Sequence, residues 1–133
     1  MQPLLSVNNL SIGFGKNEPI VERLSFAVYA GETLALVGES GSGKTLSCRS
    51  ILGILPSTAQ IRSGQILLNS RGTSLDLARL SERQLRGVRG DRVTMIFQEP
   101  MSSLSPLHRI GDQVSEVLSC TVIVQRVSQN SKY

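Results

Sequence analysis

Gly38-Glu39-Ser40-Gly41-Ser42-Gly43-Lys44-Thr45 fits the spacing G-x-x-x-x-G-K-[ST]. At ordinary residue frequencies, a match anywhere in 133 residues arises by chance with a probability of roughly half a percent, so coincidence is a poor explanation. Its neighbours agree with it. Just upstream, Thr33-Leu34-Ala35-Leu36-Val37 is a short, continuous apolar run. It reads as a central parallel strand buried on both faces. Just downstream, Leu46, Ile51, Leu52 and Leu55 recur at mixed three- and four-residue steps. They predict a helix over 44–55, stopped by Pro56. A strand, a glycine-serine loop and a helix in that order make an α/β unit.

The chemistry explains the spacing. Backbone amides that converge on phosphate oxygens need a tightly bent chain with little side chain in the way, which the glycines among residues 38–43 allow. The helix that opens near Gly43 adds the positive end of its dipole. Lys44 brings an ammonium to the β- and γ-phosphates, and Thr45 offers a hydroxyl to Mg²⁺. The eight residues Gly38, Glu39, Ser40, Gly41, Ser42, Gly43, Lys44 and Thr45 are therefore the candidate nucleotide-binding set. They form the Walker A element of P-loop nucleotide-binding proteins. That element alone leaves a GTPase, a kinase and a transport ATPase open.

Around the loop, Leu5 to Val7 and Leu10 to Phe14 alternate apolar and polar, as one strand or two short ones. Gly15 to Pro19 is a turn. Leu24, Phe26 and Val28 share one face of the next strand, and Ala30-Gly31-Glu32 turns the chain again. A strand is expected over 65–69. Ser81-Glu82-Arg83-Gln84 has the form of a capping box, with Leu80 and Leu85 placed to staple the start of a helix that runs to Val88 or Arg89. Gly90 ends it. Arg92 to Phe97 is again a strand, residues 98–106 a proline-bearing loop, and Ile110 to Leu118 an amphipathic helix.

Composition removes several classes. Apolar residues make up 40% and charged residues 18%, within the range of a globular domain. Aromatics are scarce at 4%, with no Trp, which argues against a nucleic-acid reader built on stacking. The net charge of +4 is concentrated in Arg79, Arg83, Arg86, Arg89 and Arg92, spaced as one side of a helix and its exit. A solvated helix face accounts for them better than an anionic partner. The first ten residues have no basic region followed by a long apolar one, and no apolar run reaches the ~18 residues needed to span a bilayer. Cys48 and Cys120 are too few for a disulfide scaffold and lack metal-ligand spacing, so a reduced, cytoplasmic setting is the default.

The discriminating segment is Val93-Thr94-Met95-Ile96-Phe97-Gln98-Glu99-Pro100-Met101, continued by Ser102-Ser103-Leu104-Ser105-Pro106. It puts a glutamine at the end of a strand. A carboxamide oxygen there can ligate Mg²⁺, and the amide can bond a water beside the γ-phosphate. Together with residues 31–45 and Leu85-Arg86-Gly87-Val88-Arg89-Gly90, this segment resembles the ATP-binding subunits of ABC transporters. The branch is the oligopeptide, dipeptide and nickel importers, and the likeness spans residues 4–118. The resemblance implies a P-loop nucleoside triphosphate hydrolase fold: the N-terminal part of an ABC cassette (1–118), with an antiparallel β portion first. Residues 119–133 stand as an atypical tail. It implies ATP and Mg²⁺ as cofactors. It makes Phe14 the aromatic that stacks on adenine. Gln98 becomes the Q-loop glutamine, a metal ligand with Thr45 and a sensor of the γ-phosphate. Residues 99–106 become part of the surface that receives a membrane permease. A second ATP-binding subunit and a peripheral place on the inner membrane face are implied by the same likeness.

The sequence also departs from that family. It has no LSGGQ-type signature, no strand ending in paired Asp and Glu, and no switch histidine; Leu80 to Gln84 echoes the signature without its glycines, and His108 reads as a surface residue. Without those carboxylates there is no base for the attacking water and no completed metal shell. Weak nucleotide binding with negligible hydrolysis is the expectation for a polypeptide of this sequence. A truncated cassette is the simplest reading, and it predicts unpaired sheet edges with Leu36, Ile66 and Ile96 short of apolar partners.

Overall fold

The computed structural model describes residues 1–70, 72–97 and 104–121, with 117–121 as backbone. The chain divides into two compact units, one ending at Arg86 and one starting at Gly87. The first unit contains β1 (Leu5–Phe14), β2 (Val21–Val28), α1 (Lys44–Ile51), β3 (Ala59–Ser70), β4 (Thr73–Asp76), a 3-10 turn (Leu77–Arg79) and α2 (Glu82–Arg86). The second contains α3 (Ile110–Thr121).

The four strands form one antiparallel sheet in the order β2-β1-β3-β4. The N-terminal β portion is thus antiparallel, as expected. β1 is a single strand with a bulge. Its partners on both sides shift register between residues 7–8 and 10–11, where Asn9 sits at φ 47°. An extra residue flips the inward parity of a strand. That is why Val7 before the bulge and Leu10 and Ile12 after it all point into the core, at 1%, 0% and 0% exposure. β3 yields at the same place: a Cβ on Gly64 would stand 2.6 Å from the Asn9 oxygen and from the Leu10 Cα. The bulge is therefore built by both strands' sequences. Ser25 Oγ accepts the Asn9 N–H at 2.8 Å, and Ser11 Oγ accepts the Arg23 N–H at 3.1 Å, so the donors freed by the irregular ladder keep partners.

Ile66 and Leu77 join Val7, Leu10 and Ile12 as the most deeply buried apolar side chains. Burying each such side chain contributes about 1.5–3 kcal/mol. The expectation that Ile66 lacks partners is corrected here: it is 0% exposed, because it pairs with Val7 across the β1–β3 ladder. Leu36 is half-buried, and Ile96 is 93% exposed.

Asp76 ties the sheet to the 3-10 turn. Its Oδ1 accepts the N–H of Ile66 at 3.2 Å and of Ala78 at 3.2 Å, and its Oδ2 lies 3.3 Å from Arg79 Nε. One carboxylate thus serves a strand amide and caps the turn. Asp76→Ala leaves both amides short of their acceptor and is expected to cost about 1–2 kcal/mol, read as a lower urea midpoint.

Several local expectations are revised. α1 ends at Ile51, earlier than Pro56 requires. Gly53 at φ 64° lets its own N–H reach Ser50 O at 3.1 Å and the Ile54 N–H reach Arg49 O at 3.0 Å. This is a Schellman stop, which closes the helix before proline is met. β3 is longer than 65–69, and β4 has no counterpart in the sequence reading. The capping box holds: Gln84 N donates to Ser81 Oγ at 3.4 Å, and Ser81 N donates to Gln84 Oε1 at 2.9 Å. α2 nevertheless stops at Arg86, with Leu85 and Val88 buried. Part of the arginine run is engaged locally, since Arg86 Nε lies 3.9 Å from Glu82 and Arg79 bonds Asp76.

The largest correction concerns the two apolar strands. Thr33 to Val37 is irregular chain outside any ladder, with Leu34 45% and Val37 89% exposed. Arg92 to Phe97 makes one bridge, Val93 with Arg89, and leaves Phe97 44% exposed. A parallel strand draws both its hydrogen bonds and its apolar cover from neighbours reached through long crossovers. Among the described residues, no strand lies hydrogen-bonded beside 33–37, so an apolar composition alone does not make it a strand. No helix among the described residues is long and apolar enough to cross a membrane.

Candidate nucleotide site

Residues 38–45 fold as a bent loop that leads into α1. Ser42 N donates to Glu39 O at 3.2 Å, closing a turn, and Ser47 N donates to Gly43 O at 2.9 Å, the first bond of the helix. Gly43 is the N-cap, at φ 89° and ψ 8°, and no side chain caps the helix there. The first amides of a helix have no partners within it. Elsewhere a Ser or Asp would take one; here they stay open to an anion.

Gly43 is also buried, and it must be a glycine for a second reason. A Cβ at this position would stand 2.5 Å from Val21 Cγ2 and 3.4 Å from Ile20 Cγ2. The start of β2 therefore packs directly on the loop backbone. At the other end of the loop, a Cβ on Gly38 would come within 2.6 Å of Ser42 Oγ.

The Lys44 side chain folds back over the loop. Its Nζ donates to Gly38 O at 2.6 Å, Glu39 O at 2.6 Å and Ser42 Oγ at 3.2 Å. Three donors meet three acceptors, all within the loop. The ammonium thus lies at the mouth of the bend, beside the uncapped helix start. Two positive features, a cation and a dipole end, share one place. Thr45 is exposed at the first turn, with its hydroxyl available to solvent.

Beside the loop lies a cleft of about 300 Å³. Ile20, Val21, Leu24, Leu36 and Val37 make its apolar wall, with Glu22 at the same side. Ser42, Gly43, Lys44 and Ser47 make its polar side. Ser47 is buried but satisfied, because its Oγ donates back to Gly43 O at 2.8 Å. Of the apolar wall residues, Leu24, Leu36 and Val37 figure in the sequence reading as strand positions, and Ile20 and Val21 do not figure in it.

A triphosphate fits this donor set. The start of α1 has no side-chain cap, and the Lys44 ammonium is bonded within the bend beside Gly38. For Mg²⁺ the described residues offer the Thr45 hydroxyl and no cluster of three or more His, Cys, Asp or Glu. Phe14 is half-buried at the end of β1 and is not among the residues that line the cleft. Gln98 lies outside the described residues, as do Glu99 to Ser103. His108 is exposed, with Nδ1 3.0 Å from Ser105 Oγ, and serves the turn before α3.

Comparison with known proteins decides what the loop belongs to. The profile described as ABC transporter matches residues 21–132, which include the whole loop. The chain belongs to the ABC transporter family. This ABC chain is 50% identical over 121 residues to the peptidoglycan transport ATP-binding protein YejF of Agrobacterium fabrum, covering 88% of its own length and 21% of that protein. It is 44% identical over 122 residues to the dipeptide transport ATP-binding protein DppD of Bacillus subtilis, covering 89% of its length and 35% of that protein. Among solved structures, it is similar to a bacterial Atm1-family ABC exporter with ATP bound. There the TM-score is 0.50 and the identity 26%, over 74% of this chain and 16% of that one. The ABC chain thus spans about a fifth to a third of the length of these two curated relatives.

Proposed function

We propose that this ABC chain is the phosphate-gripping portion of an importer's ATP-binding subunit, and that its cargo class is peptide. The observation that carries the reading is the uncapped start of α1 with Lys44 folded over the loop. The relatives' names, dipeptide transport and oligopeptide transport among them, support the cargo.

In this reading, the amides of residues 38–45 bind the β- and γ-phosphates of ATP. Lys44 exchanges the carbonyls of Gly38 and Glu39 for phosphate oxygens, a swap of neutral acceptors for charged ones that favours binding. Thr45 and Gln98 would hold Mg²⁺, which would supply positive charge against the phosphates. Gln98 also senses the γ-phosphate, and Phe14 stacks on the base. Residues 99–106 contribute to the surface that meets a transmembrane permease, which gives the chain a peripheral place at the inner membrane face. A second ATP-binding subunit supplies its signature residues across the interface.

A narrower reading, nucleotide binding without turnover, is favoured by one observation for a polypeptide of this sequence. It contains neither the paired carboxylates after an apolar strand nor the signature motif. Both readings are tested together by equilibrium binding of ATP with Mg²⁺ and by phosphate release. Saturable binding with release at the level of buffer is expected. Release well above buffer contradicts the narrower reading, and no binding contradicts both.

A further inference from the structure

Arg62 of β3 reaches across β1 to the corner where that strand ends. Its Nη2 donates to Gly15 O at 2.9 Å and to Phe14 O at 3.4 Å. Its guanidinium lies over Gly13: a Cβ there would stand 2.7 Å from Arg62 Cζ and 2.8 Å from Nη2. The missing side chain at 13 is what lets the arginine lie flat and grip two successive carbonyls.

The gripped corner leads to the nucleotide cleft. Asn17 N donates to Phe14 O at 3.1 Å, which closes the turn, and Ile20 N donates to Ile12 O at 2.9 Å, which brings the chain back. Ile20 and Val21 then line the cleft and pack on Gly43. The same corner thus leads from Phe14 to the cleft wall. Arg62 bonds the corner and is not among the residues that line the cleft.

We infer that Arg62 is a positioning residue: by fixing the Phe14–Gly15 corner it sets where the base of a bound nucleotide meets the protein. The inference rests on the nucleotide reading and its role for Phe14. A turn held in its binding geometry loses less freedom when the ligand arrives, so the grip raises affinity without touching the ligand. It acts on the base and leaves the phosphate contacts alone.

Two variants test it, each titrated with ATP and with inorganic tripolyphosphate, which has phosphates and no base. Arg62→Ala removes the grip. Gly13→Ala keeps the charge but places a methyl where the guanidinium lies, at a backbone angle alanine accepts. Both are expected to weaken ATP about fivefold, and Gly13→Ala to change tripolyphosphate by less than about twofold. Unchanged ATP affinity in Gly13→Ala, or an equal loss for both ligands, overturns the inference. If the unaltered chain binds neither ligand, the nucleotide reading itself falls. If it binds ATP no more tightly than tripolyphosphate, the role of Phe14 falls, and that of Arg62 with it.

Discussion

Lys44→Ala is expected to weaken ATP binding by roughly 30- to 150-fold, the equivalent of about 2–3 kcal/mol. The Lys44 ammonium is the only cation bonded within the loop among the described residues, where it bonds Gly38 O, Glu39 O and Ser42 Oγ. A bound triphosphate presents several charged oxygens to the same bend. Removing the ammonium leaves them to the loop amides and the helix dipole alone, which contribute less than a direct charge-assisted bond. Stability should barely change, because the three bonds lie on an exposed loop and none reaches the sheet. Isothermal titration and urea unfolding on the same samples separate the two effects. A normal urea midpoint with undiminished ATP affinity would show that Lys44 does not face the phosphates.

Gly43→Ala is expected to cost about 2–4 kcal/mol of stability and to abolish nucleotide binding with it. Two penalties add. The backbone sits at φ 89°, where L-residues are strained, and the new methyl would lie 2.5 Å from Val21 Cγ2. Gly41 supplies the comparison. It too has a positive φ, at 81°, but nothing lies within 4 Å of its would-be Cβ. Gly41→Ala should therefore cost only about 1 kcal/mol. Adding Val21→Ala to Gly43→Ala should cost less than the sum of the single changes, because the truncated Val21 vacates the space the methyl needs. Strict additivity in urea unfolding would mean that β2 and the loop do not pack as described.

The bent loop at 38–45 and the helix it opens were legible in the sequence, because their signals are local. Glycines that must bend, a lysine and a hydroxyl at the helix start all lie within eight consecutive residues, so no distant partner is needed to read them. The capping box at Ser81 and Gln84 was legible for the same reason. What failed were features decided by distant partners. Thr33 to Val37 has the composition of a central strand, but a parallel ladder depends on other strands, and none pairs with it among the described residues. The bulge at Asn9 hid the true parity of β1, so the sequence left one strand or two short ones open. β4 escaped because Thr73-Ser74-Leu75-Asp76 has too few apolar residues to show a period; its place is set by pairing with Leu67 to Ser70. The apolar wall of the cleft was hidden in another way. Ile20, Val21 and Leu24 carry no chemical signature, and only their packing on Gly43 and their place beside Lys44 give them a role.

The most direct test of the central claim is an amide chemical-shift titration of the chain with inorganic tripolyphosphate. The account predicts that the amides of Gly38 to Thr45 shift first and furthest, saturating together at one dissociation constant, while those of β3 and β4 stay still. Shifts spread over the arginines of α2 and its flanks, with the loop amides unmoved, would contradict it.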